Sequence, residues 1–228
     1  MSARITALVP MRHHSERVPG KNYRLFAGKP LYHQILETLL QCPAISRIVI
    51  DTDSPFILED CAKHFPAVRL VERPAHLRDG SIPMNTILLH DMSLEPSDYY
   101  LQTHSTNPLL RTETISRALE IYQSDRDRFD SLFSVTALHT RLWDRQGHPL
   151  NHDPSVLLRT QDLPPVYEEN SCLYFFSRAL LEKTGNRIGA RPLLFEVSAA
   201  EAWDIDEELD FTIAEFLHRQ QHPGGVAS

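Results

Sequence analysis

The residues best equipped for chemistry lie close to the amino terminus, in the run Val9-Pro10-Met11-Arg12-His13-His14-Ser15-Glu16-Arg17-Val18-Pro19-Gly20-Lys21-Asn22. Arg12, Arg17 and Lys21 surround one hydroxyl, Ser15, and one amide, Asn22, with Glu16 the sole opposing charge, and Arg24 and Lys29 extend the positive stretch. Fixed cations interleaved with hydrogen-bond donors suit a small polyphosphate, whose oxyanions Arg12 and Lys21 would neutralise while Ser15 donates to one of them. The loop is not a Walker A motif: Gly28-Lys29 runs into Pro30, no glycine stands at the required position ahead of Gly28, and no G-x-G-x-x-G is present. A second constellation is Asp204-Ile205-Asp206, followed by Glu207, Glu208 and Asp210. In extended backbone the i and i+2 side chains share a side, so Asp204 and Asp206 can offer two carboxylates to one cation. Magnesium fits such a pair, because it binds through one or two carboxylates and completes its shell with substrate phosphates and water. Helix capping competes for the same acids, and Glu207 and Glu208 are assigned to a helix start.

Those groups need a frame, and the chain supplies β-rich runs alternating with stretches of helical period. Strands are predicted over 5–9, 47–51, 68–71, 99–102, 132–136, 173–176 and 193–197. Leu31, Ile35 and Leu39 behind Pro30, Ile115, Leu119 and Tyr122 after Thr112, and Leu209, Ile213 and Leu217 near the end form apolar helical stripes. This alternation predicts an α/β fold with a mostly parallel, doubly wound sheet, in which ligands sit at the carboxyl ends of the strands. The basic loop follows the first predicted strand directly. From 137 to 170 the alternation breaks at Trp143, Gly147, Pro149, Pro154, Pro164 and Pro165, which reads as an inserted arm that covers a substrate or reaches a second subunit. The rest of the 228 residues is expected to form one domain, with 220–228 a frayed tail.

Composition narrows the partners. The net charge of −7 argues against nucleic acid, whose binding depends on clustered Lys and Arg. No apolar run is long enough to span a membrane, and the short segment 5–10 is not a signal-peptide core, so a soluble, cytoplasmic protein is expected. Cys42, Cys61 and Cys172 lack C-x-x-C spacing and are expected to be buried free thiols. None of the 12 histidines falls in an H-E-x-x-H pattern, and no G-x-S-x-G elbow is present. His13, His14 and His104 stay open as substrate contacts.

The loop pattern R-x-x-S-x-R-x-P-G-K-N resembles the signature of the acylneuraminate cytidylyltransferase family, the CMP-sialic acid synthetases. The resemblance continues through Arg24 to Leu31, through Asp51-Thr52-Asp53-Ser54, through Arg73-Pro74-Ala75-His76-Leu77 with Asp79, through Leu101 to Arg111, and through Arg159-Thr160-Gln161-Asp162 and Tyr167-Glu168-Glu169-Asn170 to Asp204-Ile205-Asp206. Two departures stand out. The segment after Gln102 carries about three extra residues, and Ser171 follows Asn170 where the family commonly has glycine. The resemblance implies a three-layer, Rossmann-like nucleotidyltransferase fold of the GT-A type, with the arm serving dimerisation. It implies that CMP passes from CTP to the anomeric hydroxyl of a nine-carbon 2-keto-3-deoxy sugar acid of the sialic, legionaminic or pseudaminic type, with pyrophosphate released. A CMP-octulosonate or GMP-sugar enzyme of the same fold, and a non-catalytic nucleotide-sugar binder, are the alternatives. By the same resemblance Arg12, Ser15, Lys21, Asn22, Arg73, Ser81 and Gln102 bind nucleotide, and Gln102 and Asn170 face the sugar. Arg159, Lys21 and Arg12 serve catalysis, Asp204 and Asp206 hold Mg2+, and the protein is a homodimer.

Overall fold

In the computed structural model, which describes residues 3–222, each of the seven predicted strands is present. They are β1 (Ile5–Met11), β4 (Arg47–Thr52), β5 (Arg69–Glu72), β6 (Tyr99–Thr103), β7 (Ser131–Leu138), β8 (Val166–Ser177) and β9 (Pro192–Glu196). Two short strands, β2 (Leu25–Phe26) and β3 (Lys29–Pro30), form a separate hairpin. The main sheet has the order β5-β4-β1-β6-β8-β7-β9. β8 runs antiparallel to both its neighbours, and the other pairings are parallel.

Alternation along the strands builds the layers. Ile5, Ala7, Val9 and Met11 of β1 face one side, where they meet α1 (Leu31–Leu40), α2 (Pro55–His64) and α4 (Thr112–Asp125) through Ile35, Cys61 and Ile115. Leu8, Val49, Tyr100 and Tyr174 face the other side, against Leu88 and Met92 of α3 (Met84–Leu94) and Leu181 of α5 (Arg178–Thr184). The result is the expected three-layer α/β sandwich. The last helix, α6 (Glu208–Gln221), closes one end with Phe211 and Ala214 against Val18, Phe26 and Leu31. Its buried face is not the predicted Leu209 stripe: Leu209 is exposed, because Ile205 just ahead of the helix already fixes which side turns inward. A capping box of Glu207 and Asp210 begins this helix, as the acidic run suggested. The predicted tail starts later than read, since Gln220 and Gln221 belong to α6, and 223–228 lie outside the described residues.

The arm is also shorter than its sequence suggested. Val135–Leu138 pair with Val166–Glu169, so both ends of the 137–170 segment are sheet and only 139–165 project from it. Proline and glycine break regular period only inside that projection, where the chain orders itself locally: Trp143 bridges to Pro149, and Asn151 accepts from the Leu142 amide at 2.8 Å while donating to the Thr140 carbonyl at 2.7 Å. The strand register shifts where Ser134 of β7 meets Asn170–Leu173 of β8, and there Ser171 takes a left-handed φ of 59°. That conformation favours glycine, which is the residue the resemblance leads one to expect.

Buried Ser54 caps α2, accepting from the Ile57 amide at 3.4 Å, and its hydroxyl also meets His13 Nδ1 at 2.8 Å. Ser54→Ala is expected to cost about 1 kcal/mol, read as a lower urea midpoint at unchanged slope; an unmoved midpoint would show that the cap contributes nothing.

Candidate active site

A cleft of about 740 Å³ opens at the carboxyl ends of β1, β4 and β6, lined among others by Arg12, Ser15, Arg17, Lys21, Asn22, Arg73, His104, Arg187, Asp204 and Asp206. The basic loop is held there from several directions. The His13 amide donates to Asp53 at 2.7 Å, Asn22 donates to the Arg12 carbonyl at 2.8 Å, and Ser105 donates to Asn22 at 2.7 Å. Gly20 has φ 65°, and a Cβ there would stand 2.9 Å from the Tyr23 ring, so glycine is required for the turn that presents Lys21. Arg12 lies exposed along the cleft with Gly80 beside it, where a Cβ would come within 2.9 Å of its guanidinium. Thus the Arg12 and Ser15 side chains can meet a ligand, and Lys21 can do so while it also holds the Ile205 carbonyl, whereas Asn22 spends both ends of its amide tying the loop together. His14 and His104 line the cleft, while His13 is used within the loop and stacks on Tyr23.

The acidic motif converges on the same cleft. Ile205 is fully buried among Val18, Phe26 and Phe211, and Asp204 and Asp206 on either side of it both line the opening. The extra residues after Gln102 form turns that hold this segment: the Ile205 amide donates to the Thr106 carbonyl at 2.9 Å, and Asn107 reaches the Ala202 and Trp203 carbonyls at 3.4 Å each. Arg17 donates to Asp206 at 2.6 Å, and Lys21 Nζ sits 3.9 Å from the same carboxylate while donating to the Ile205 carbonyl. Burial holds the Lys21 ammonium below its ordinary pKa against the pull of Asp204 and Asp206. Burial, then repulsion from Asp206 and Asp210, raises the carboxyl of Asp204 against an opposing contact with Thr106 and the charge of Lys21. Asp204 Oδ1 is buried with no hydrogen-bond partner among the described residues. An orphaned carboxylate oxygen beside a second carboxylate and a basic loop is a donor set that fits Mg2+.

Arg73 enters the cleft from below. It is 1% exposed and donates through Nε to Asp51, itself fully buried, and through Nη2 to the Asp51 carbonyl at 3.2 Å. Asp91 on α3 completes a buried cluster with Asp51 and His90. Among the described residues neither Asp91 oxygen nor Asp51 Oδ2 has a donor, and a proton held on one Asp91 oxygen supplies one to Asp51 Oδ2. Burial above all, then the charge of Asp51, holds the Asp91 carboxyl well above the usual carboxylate range, against the pull of Arg73.

Four predicted residues sit differently from their expected roles. Gln102 is fully buried, donates to His104 at 2.7 Å and accepts from Arg187 at 2.6 Å, so neither end of its amide is left to read a base or a sugar. Ser81 turns away to Asp79 at 2.6 Å and is absent from the lining, because the Asp79-Gly80 turn, not its hydroxyl, faces the opening. Asn170 borders an adjoining cavity of about 500 Å³ shared with Ser171, Asp204 and Asp206. Its amide is consumed by the register shift, accepting from Ser134 at 2.6 Å and donating to Thr136 at 3.0 Å. Arg159 lies exposed on the arm, paired with Asp162 at 2.7 and 3.0 Å, and does not line the cleft of its own chain. The cleft also contains a residue that the sequence did not single out, Arg187, which follows α5 in a loop with no motif around it.

Because Asp91 binds its proton more tightly folded than unfolded, its contribution to stability is greatest below the ordinary carboxylate pKa of about 4 and is lost as pH rises towards its raised folded value. Asp91→Asn keeps a donor for Asp51 without a titrating proton. Its unfolding free energy relative to the parent is therefore expected to improve steadily from pH 5 to pH 8, measured by urea unfolding; parallel pH profiles would show that Asp91 is not the proton holder.

Comparison with known proteins accords with this arrangement. A sequence model of the family described as cytidylyltransferase matches residues 6–223. The CMP-N,N'-diacetyllegionaminic acid synthase of Legionella pneumophila is 29% identical over 228 residues, covering 94% of this chain and 96% of that one. The pseudaminic acid cytidylyltransferase of Campylobacter jejuni is 25% identical over 229 residues, with coverage of 94% and 96%. The N-acylneuraminate cytidylyltransferase A of Danio rerio is 26% identical over 221 residues, and there the chain spans only 50% of its relative's length. A solved CMP:2-keto-3-deoxy-manno-octonic acid synthetase complexed with CTP superposes with a TM-score of 0.73 at 15% identity, over 96% of this chain and 100% of that one, which establishes a shared fold. The chain belongs to the cytidylyltransferase family.

Proposed function

We propose that the protein transfers CMP from CTP to the anomeric hydroxyl of a nine-carbon 2-keto-3-deoxy sugar acid, releasing pyrophosphate. The observation that carries this reading is the convergence on one cleft of the Arg12–Lys21 loop and the Asp204/Asp206 pair. Similarity to enzymes named for legionaminic, pseudaminic and N-acylneuraminic acids supports the class of sugar acid.

In this reading Arg12 and Lys21 bind the triphosphate, Ser15 donates to one of its oxygens, and Arg73 presents a fixed positive charge beneath the nucleotide. The sugar hydroxyl attacks the α-phosphorus in line with the departing pyrophosphate, a reaction that asks the protein mainly for positioning and charge neutralisation. Asp204 and Asp206 would hold Mg2+, which when bound neutralises charge on phosphate oxygens. Arg17 would release Asp206 for that role and turn to the nucleotide, a short move for an exposed side chain. Within one chain Arg159 stays outside the cleft, so its catalytic part belongs to a homodimer in which the 139–165 arm of one copy approaches the other. Leu150, Val156 and Leu157, exposed along that arm, are the apolar surface proposed for the contact.

Pyrophosphate release with each nucleoside triphosphate and a panel of eight- and nine-carbon sugar acids tests the reaction. Turnover is expected with CTP and a nine-carbon acid, and Asp206→Asn is expected to remove most of it; silence of the parent across the panel would overturn the reading. Light scattering at micromolar concentration is expected to give the mass of two chains, and a single-chain mass would return Arg159 to an ordinary surface residue.

A further inference from the structure

A second part of the cleft lining is built around Arg187. Its guanidinium donates to Gln102 Oε1 at 2.6 Å and lies over the Tyr174 ring at 3.6 Å from the centroid. The Tyr174 hydroxyl is fixed in turn by Glu169 and, at 3.0 Å, by Ser171, the left-handed residue at the register shift. Both faces of the device therefore rest on the sheet: Gln102 on β6, and Tyr174 opposite it on β8.

The hydrogen bonds determine one another. Arg187 can only donate, so the oxygen of the Gln102 amide must face it and the amino group must face His104. His104 Nε2 then has to accept, which requires a neutral imidazole carrying its proton on Nδ1. Burial, with the charges of Arg187 and Lys21, pushes His104 down to about 4, in keeping with that assignment. Positive charge beside His104 thus comes from Arg187 and Lys21 and not from the imidazole, and only one of the five N–H groups of Arg187 is accounted for by Gln102. A guanidinium whose position is fixed by an amide and an aromatic face, with donors to spare in a cleft, is suited to a planar oxygen acceptor.

We infer that Arg187 is the residue that reads the sugar acid, its guanidinium donating to a carboxylate or acyl-carbonyl oxygen of that substrate, with Gln102 acting as its support. The inference rests on the proposed transfer to a sugar acid and adds to it which side chain selects the acceptor. Arg12 and Lys21 serve the nucleotide end, so the two substrates are recognised by separate cations.

The test compares the parent with Arg187→Lys, which can still donate to Gln102 but loses the planar fork, and with Arg187→Leu. Steady-state pyrophosphate release is measured while CTP and the sugar acid are varied independently. In the lysine variant the KM for the sugar acid is expected to rise about tenfold or more, the scale of a charged hydrogen bond, with the KM for CTP changed by less than about twofold. The leucine variant is expected to lose more in the same direction. An unchanged sugar-acid KM, or an equal rise for CTP, overturns the inference while leaving the reaction intact; absence of turnover in the parent with every sugar acid overturns the reaction and this inference with it. Repeating the series with the N-deacylated sugar distinguishes the two oxygens. A penalty that vanishes assigns the acyl carbonyl, and a penalty that persists assigns the carboxylate.

Discussion

The buried ion pair of Arg73 and Asp51 is the constraint around which the rest of the cleft is arranged. Removing two charges from water costs several kcal/mol per ion, and the cost is recovered only where geometry is good and spare oxygens find donors. Here β4 supplies the carboxylate, the segment after β5 supplies the guanidinium, and α3 contributes Asp91, whose proton serves the spare oxygen of Asp51. Two strand ends and one helix are thereby locked together. Just beyond, Asp53 and Ser54 continue from β4 to take the amide and ring of His13, so the loop that carries Arg12 is fastened to the same strand end.

Around this frame the cleft solves a problem of mixed charge. The clustered cations of the loop repel one another, and the paired carboxylates do the same, yet both sets share one opening. The chain keeps each set apart by backbone geometry and links them through Lys21 and Arg17, which reach Asp206. Ile205 is central to this: one apolar side chain turned inward places the acids on either side of it along the cleft, where Asp206 meets Arg17.

Much of this was legible in the sequence for physical reasons. Period-two apolar runs located every strand of the main sheet, and the alternation of strand and helix gave the layers. Boundaries failed where local composition misled: the start of β8, Val166–Asn170, carries polar and acidic residues, so it and its partner residues of β7 beyond Thr136 looked like loop. Among site residues, those in the loop and in Asp204-Ile205-Asp206 could be found because sequence neighbours become spatial neighbours there. The burial of Gln102 and its pairing with a residue 85 positions away leave no local mark in the sequence. Arg187 was missed for the same reason, being one arginine in an unremarkable loop. Ser171 was noticed as a departure, but its left-handed backbone shows why the position tends towards glycine.

The three thiols carry a consequence for how this protein opens. Cys42, Cys61 and Cys172 are all free and buried, and burial raises Cys61 to about 12 and Cys172 higher still, so each is inert while its surroundings stay closed. They sit in different places: Cys42 just past α1, Cys61 within α2, and Cys172 on β8 beside the register shift and within reach of the Glu201 carbonyl. Their alkylation rates would therefore clock three separate excursions from the native state, and the spread among them would tell whether the edge beside Asp204 breathes independently of the helical layer or only when the whole domain unfolds.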